Sequence, residues 1–318
     1  MYADEAKEKW GNYFGSQQKP QKFDAFWDNG KAQVAELGNN YELVKHKLTS
    51  NIVDYYDLFF TGVGGASVHC QLVQPKKQRG PALLQFHGYH GDSGNWVDKL
   101  AWAAEGFTVF CLDVRGQGGL SEDVTKTKGG TLKGHIMRGV EEGPENLLYR
   151  SIFLDVYQLT QIAMSFPGVN PEQLYVKGNS QGGALSLVAA ALEPSIKQAL
   201  VMYPFLSDFR TAFTTNVLSS AYEEIAYWFR FRDPEHLNEE GIFQTLDYID
   251  IQYLAPRIKA QVLWGMGLED VACPPKTQFA TYNNLQCDKE LILYPEYGHE
   301  NIPRFGDYMQ QKLMTAFD

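Results

Sequence analysis

The sequence predicts an α/β fold, a mostly parallel twisted sheet flanked by helices, carrying an N-terminal extension and a helical insertion. Three observations predict it. From residue 82 onward, short apolar runs of strand length alternate with longer segments of helical pattern, as in successive β-α-β units. A serine among glycines, Ser180, stands where one such run passes into an Ala/Leu-rich helix. The chain of 318 residues, 44% hydrophobic and 14% aromatic, has apolar mass for one large core, and residues 1–318 read as a single domain rather than a disordered chain.

The elements follow in order. Residues 1–40 place Trp10, Tyr13, Phe14, Phe23, Phe26 and Trp27 among polar residues, and are expected to form a helical extension that docks aromatics onto the body. Ile52 to Thr61 and Ala66 to Gln74 are strand-like, and the Gly62-Val63-Gly64-Gly65 turn between them predicts an antiparallel hairpin. Further strands are expected at Ala82 to Phe86, Thr108 to Leu112, Leu174 to Val176, Gln198 to Met202, Gln261 to Trp264 and Glu290 to Tyr294. Helices are expected at Leu147 to Met164, Gln181 to Leu192, Lys276 to Asn284 and Pro303 to Phe317. Phe205 to Pro256 interrupts this rhythm, with helix-like stretches at Thr211 to Phe231 and Leu237 to Asp247. An insertion of that length is either a lid over a site or an added packing layer.

Composition narrows the function. Against 28 Lys+Arg stand 38 Asp+Glu, a net charge of −10, which opposes nucleic acid or an anionic membrane as partner. No apolar run approaches the roughly 18 residues of a membrane helix, and Met1 to Trp10 is polar and charged, so the chain is expected to be soluble and cytoplasmic. Cys70, Cys111, Cys273 and Cys287 show neither CxxC nor zinc spacing. They read as small buried or half-buried hydrophobes, with no metal and no cofactor expected.

The chemistry is carried by Gly178-Asn179-Ser180-Gln181-Gly182, a GxSxG pattern between strand and helix. Small residues flank Ser180 because a sharp turn brings neighbouring backbone too close for a Cβ. A serine hydroxyl needs a base, and on such elbows the partners follow in the order serine, acid, histidine. Only His236 and His299 lie beyond Ser180. His236 sits in the insertion, where a solvated or capping role is expected; His299 follows the last strand and is the chosen base. The acid belongs in the loop after Val262-Leu263-Trp264, where Glu269 and Asp270 both qualify by spacing and Asp270 is preferred. Oxyanion donors are expected at the backbone N–H of Gln181 and, in the His87-Gly88-Tyr89-His90-Gly91 loop, of Tyr89. His87 and His90 read as loop scaffolding.

With these pieces placed, the sequence resembles carbohydrate esterase family seven, the acetyl xylan esterases and cephalosporin C deacetylases of the α/β-hydrolase superfamily. The resemblance rests on Arg115-Gly116-Gln117, on Gly178-Asn179-Ser180-Gln181-Gly182 and on His299-Glu300, and runs through nearly the whole chain. It implies the triad Ser180, Asp270 and His299, an oxyanion hole of Tyr89 and Gln181, and an acyl-enzyme route that removes acetyl from small esters such as xylo-oligosaccharides and cephalosporin C without a metal. It also implies a hexamer, a trimer of dimers, with the hairpin at Gly62 to Gly65 as a subunit contact if edge pairing is used. Arg115 and Glu300 are expected to form an ion pair that positions His299. A peptidase or longer-chain esterase of the same fold, and a non-catalytic binding module, are the competing readings.

Overall fold

The structure is a computed structural model describing residues 2–76, 80–126, 134–215 and 221–315. Two helices begin the chain, α1 (Ala3–Trp10) and α2 (Phe23–Leu37). The strands are β1 (Tyr41–Lys45), β2 (Val53–Thr61), β3 (Ser67–Pro75), β4 (Gly80–Phe86), β5 (Thr108–Leu112), β6 (Val169–Asn179), β7 (Gln198–Met202), β8 (Gln261–Gly267) and β9 (Lys289–Tyr294). Among them lie α3 (Leu100–Ala104), α4 (Leu148–Ser165), α5 (Gln181–Leu192), α6 (Phe209–Thr214), α7 (Glu223–Arg232), α8 (Glu239–Leu246) and α9 (Pro275–Asn284), and α10 (Phe305–Thr315) follows β9.

The strands form one sheet in the order β1-β2-β3-β5-β4-β6-β7-β8-β9. Pairing is antiparallel from β1 to β5 and parallel from β5 to β9. The chain steps from β4 outward to β5, then crosses back to β6 on the other side of β4. That reversal is a topological switch point, which opens a crevice at the carboxyl ends of the strands. Phe86 at the end of β4 pairs with Gly178 near the end of β6, so the loops leaving these two strands emerge side by side.

Helices cover both faces, so β5 and β7 are buried at every residue. Successive side chains point to opposite faces. Leu84, Val176 and Trp264 join the cluster that contains α4 and α5, while Leu83, Tyr175 and Leu263 join the one that contains α10. The extension docks all of its expected aromatics but Phe14, which is exposed: Trp27 is fully buried against Phe153, with ring centroids 5.5 Å apart. Phe26 meets Tyr248 at 4.7 Å and Trp10 meets Phe279 at 5.8 Å, joining the N-terminal helices to the insertion and α9. Cys70, Cys111 and Cys273 are buried and Cys287 half-buried, all free. No described helix is long and apolar enough to cross a membrane.

The structure departs from the sequence expectations in three places. Strand β1 lacks the alternating pattern because it is exposed along almost its whole length. The hairpin exists, but β2 is paired on both sides, so the sheet edges are β1 and β9. Edge pairing therefore gives no ground for a subunit contact at Gly62 to Gly65. The helix expected over Thr211 to Phe231 appears as α6 and α7, with 216–220 outside the described residues, as are the last residues of the Pro303 to Phe317 helix.

Candidate active site

Ser180 lies between β6 and α5 with φ 55° and ψ −121°, a backbone conformation that persists only when its surroundings enforce it. They do so through three hydrogen bonds. Its N–H donates to Met202 O at 2.9 Å, and its carbonyl accepts from Ala184 N–H at 3.0 Å and Phe205 N–H at 3.1 Å. The flanking glycines are required by close approach. A Cβ at Gly178 would lie 2.3 Å from the Gly182 carbonyl carbon and oxygen, and one at Gly182 would lie 2.0 Å from Phe86 O. Ser180 is thus held against the end of β4.

His299 and Asp270 meet it from the loops after β9 and β8. His299 Nε2 is 3.0 Å from Ser180 Oγ, and Nδ1 is 2.9 Å from Asp270 Oδ2. A carboxylate accepts, so Nδ1–H donates to Asp270 and Nε2 is left to accept from the serine hydroxyl. The Asp270 side chain is fully buried, and its other oxygen accepts from the N–H groups of Ala272 and Cys273 at 2.8 Å each. The ambiguity between neighbouring acids is resolved by burial: Glu269 is exposed, while Asp270 holds the imidazole. Tyr203 packs its ring 4.4 Å from His299 and donates its hydroxyl to Glu300 O at 2.9 Å. Burial, reinforced by the Asp270 carboxylate, pushes the Tyr203 phenol up to about 12, so it is a neutral donor near neutrality. His236 is exposed, bonded to Glu239 at 2.6 Å and stacked on Phe229, as a surface histidine.

The loop after β4 is braced by its neighbours. His87 Nδ1–H donates to Gly88 O at 2.7 Å, and its Nε2 accepts from Val114 N–H at 3.0 Å, tying this loop to the one after β5. Burial lowers the His87 pKa, consistent with a neutral ring in that role. Gln117 links the two segments that carry Tyr89 and Gln181. Its Oε1 accepts from His90 N–H at 2.9 Å and its Nε2 donates to Gln181 Oε1 at 2.8 Å. Gln181 Oε1 also accepts from the buried Tyr149 hydroxyl at 2.7 Å. Gly116 has φ 70°, and a Cβ there would lie 2.9 Å from Asp123 Cβ, so the turn before Gln117 excludes other residues.

The expected ion pair between Arg115 and Glu300 does not form. Arg115 is buried and donates through Nε and Nη2 to Asp155 of α4, and through Nη1 to Val63 O. Glu300 is exposed and its carboxylate accepts from Gly298 N–H at 3.1 Å, bracing the His299 loop from within. Desolvation explains the choice: a buried guanidinium needs a partner inside the fold, and Asp155 is the acid buried beside it. Residue-by-residue reading missed Asp155, although a single acid in the apolar run Ile152-Phe153-Leu154-Asp155-Val156 is a signal for a buried pair.

Also missed was Asp113, whose carboxylate accepts from Ser93 N–H, Leu120 N–H and His69 at 2.7 to 2.9 Å and so holds the loops after β4 and β5 together. Glu224 of α7 was missed too; it meets the Tyr89 phenol. Among the described residues, two groups of side chains bring possible metal-ligating atoms within 4.8 Å: His90, His135 and Glu224, and Asp270, Cys273 and His299. In the first, His135 and Glu224 are engaged with Tyr89, Gly116 O and Ile136 N–H. In the second, Asp270 and His299 are engaged with each other, with backbone N–H groups and with Ser180.

A sheet reversed at β4, with an elbow serine in contact with a histidine from the last strand's loop, defines an α/β-hydrolase. A model described as acetyl xylan esterase (AXE1) matches residues 2–316, and the chain belongs to that family. The fold superposes on acetyl xylan esterase 1 from Thermoanaerobacterium sp. JW/SL YS485 with TM-score 0.95 and 43% identity, covering 100% of this chain and 99% of that one. The acetyl xylan esterase from Paenibacillus sp. R4 gives 0.92 and 34%, covering 99% of each chain. Acetyl esterase Axe7A of Xylanibacter ruminicola is 25% identical over 290 residues, 88% of this chain; the chain spans 63% of that relative's length. An acylaminoacyl peptidase of Pyrococcus horikoshii, at 16% identity and TM-score 0.58 over 85% of this chain and 42% of that one, shares the fold.

Proposed function

We propose that the chain is a serine esterase that removes acetyl groups from small acetylated alcohols, with acetylated xylo-oligosaccharides and cephalosporin C as candidate substrates. The observation that carries this reading is the unbroken contact Ser180–His299–Asp270, at 3.0 and 2.9 Å, in a member of the acetyl xylan esterase family. In the first step His299 Nε2 takes the hydroxyl proton as Ser180 Oγ bonds to the acetyl carbonyl carbon. Asp270 holds the imidazolium, and the Gln181 and Tyr89 N–H groups receive the oxyanion. Gln181 opens α5, where an N–H has no partner inside the helix, which suits it to that role. Collapse of the intermediate expels the alcohol, protonated by His299. Water, losing a proton to the same nitrogen, then releases acetate and restores Ser180.

The helices between Phe205 and Pro256 are proposed to form a lid over the acyl site, since Phe205 lies 5.8 Å from the Tyr89 ring. A cytoplasmic location is supported by four free thiols, and a hexameric trimer of dimers by the family resemblance. Ser180→Ala should lower turnover of a small chromogenic acetate by several orders of magnitude without loss of folding. Turnover should also fall steeply from acetate to butyrate to octanoate esters. Wild-type-like activity in Ser180→Ala would end the assignment. A rate that holds or rises with acyl length would transfer it to a longer-chain esterase. Sedimentation tests the assembly.

A further inference from the structure

We infer that Glu224 is a positioning residue of the esterase: its carboxyl fastens the helical insertion to the loop that carries the Tyr89 N–H, and so sets the oxyanion hole. The inference rests on the proposed roles of Ser180 and Tyr89. Glu224 lies in the first turn of α7 and is 1% exposed. Its Oε1 is hydrogen-bonded to the Tyr89 phenol, and its Oε2 accepts from Ile136 N–H at 2.9 Å. The phenol is also 3.0 Å from His135 Nδ1, and His135 Nε2–H donates to Gly116 O at 2.8 Å. One carboxyl thus joins three segments distant in sequence: the loop after β4, the stretch following the Arg115-Gly116-Gln117 turn, and the insertion. Packing alone would favour an apolar residue there, because burying a carboxyl is costly unless its hydrogen bonds are used.

The charge state fits the same geometry. The titratable side chains facing Glu224 are Tyr89, His90 and His135. Burial pushes its carboxyl up to about 8, against the lowering effect of the Ile136 and Met137 N–H groups, and burial lowers His135. A neutral acid and a neutral imidazole give one directed chain. Protonated Oε1 donates to the phenol oxygen, the phenol donates to His135 Nδ1, and His135 donates to Gly116 O. Ionisation of Glu224 removes the first donor, turns the phenol proton back to the carboxylate and leaves His135 Nδ1 without it.

The test is steady-state hydrolysis of a small acetate across pH by Glu224→Ala, Glu224→Gln and Tyr89→Phe. A displaced oxyanion donor is a misplacement that lowers kcat more than it raises KM; Glu224→Ala and Tyr89→Phe should each lose between about tenfold and a hundredfold in kcat. Combining them should add little, because they break one link. Glu224→Gln should recover most of the loss, since its amide can donate to the phenol and accept from Ile136. The wild-type decline in kcat as pH passes about 8 should be absent from Glu224→Gln. Wild-type kcat in a folded Glu224→Ala, or an unchanged alkaline limb in Glu224→Gln, would overturn the inference. If the alanine variant does not fold, the glutamine profile decides alone. Ser180→Ala run in parallel separates the failures: its survival sinks the esterase assignment with this inference, while its loss beside unaffected Glu224 variants sinks only the latter.

Discussion

Arg115 and Asp155 face each other inside the fold, each 1% exposed, through two hydrogen bonds of 2.5 Å from the guanidinium to the two carboxylate oxygens. A third donor reaches Val63 O at 3.1 Å, so one side chain joins the loop after β5, α4 and the β2–β3 turn. The arginine of the Arg115-Gly116-Gln117 motif is therefore a brace beneath the site, and Gln117 is the member that touches the elbow.

Removing one partner of that pair should be costly. Arg115→Ala strands a buried carboxylate and is expected to lower unfolding free energy by about 3–5 kcal/mol in urea titrations, while Arg115→Met with Asp155→Leu should recover much of it. Glu300→Ala should stay within about 0.5 kcal/mol of wild type. The reverse ranking would restore Glu300 as the partner.

Asp270→Asn should reduce kcat by roughly four orders of magnitude with the fold intact, because an amide no longer enforces the tautomer that leaves His299 Nε2 free to accept. Glu269→Gln should leave kcat near wild type. Comparable losses in both would mean that the exposed acid shares the role.

Gln117→Leu cuts the link between His90 N–H and the Gln181 side chain. Loss of that alignment is expected to lower kcat by between about tenfold and a hundredfold, with a smaller change in KM. An unaltered kcat would reduce Gln117 to packing.

Gly182→Ala should destabilise by at least about 3 kcal/mol, since its Cβ would overlap backbone that cannot move without displacing β4. Thermal unfolding checks this, and a variant with wild-type Tm would show that the elbow can open.

Acid should weaken the brace at Asp113. Burial alone would raise this carboxyl, but bonds from His69, Ser93 and Leu120 N–H hold it well below the usual range. A depressed folded pKa contributes stability that is present above the unfolded value of roughly 3.9 and is lost as pH falls through the folded one. Asp113→Asn should be less stable than wild type at pH 7 and show a shallower loss below about pH 4. Parallel slopes in urea unfolding would remove Asp113 from the acid transition.

Much of the candidate site was legible because its signals are contiguous. Gly178 and Gly182 mark a turn too tight for a Cβ, and the strand-then-loop pattern before His299 and Asp270 places both at the same end of the sheet. Spacing could not separate Glu269 from Asp270; burial did. Strand β1 escaped notice because four of its five residues are exposed and no alternation marks them. Asp155 and Glu224 escaped because their partners lie 40 and 135 positions away in the chain.

By itself, the sequence determined the alternation of strands and helices, the elbow around Ser180 and the order serine, acid, histidine along the chain. These depend on backbone sterics and side-chain period over neighbouring residues, which act before any distant contact exists. Only the tertiary structure decided that β4 lies between β5 and β6, that Arg115 takes Asp155, and that an insertion carboxyl meets Tyr89. Those outcomes turn on which polar groups are left without water once the sheet and its helices close, a property of the packed whole.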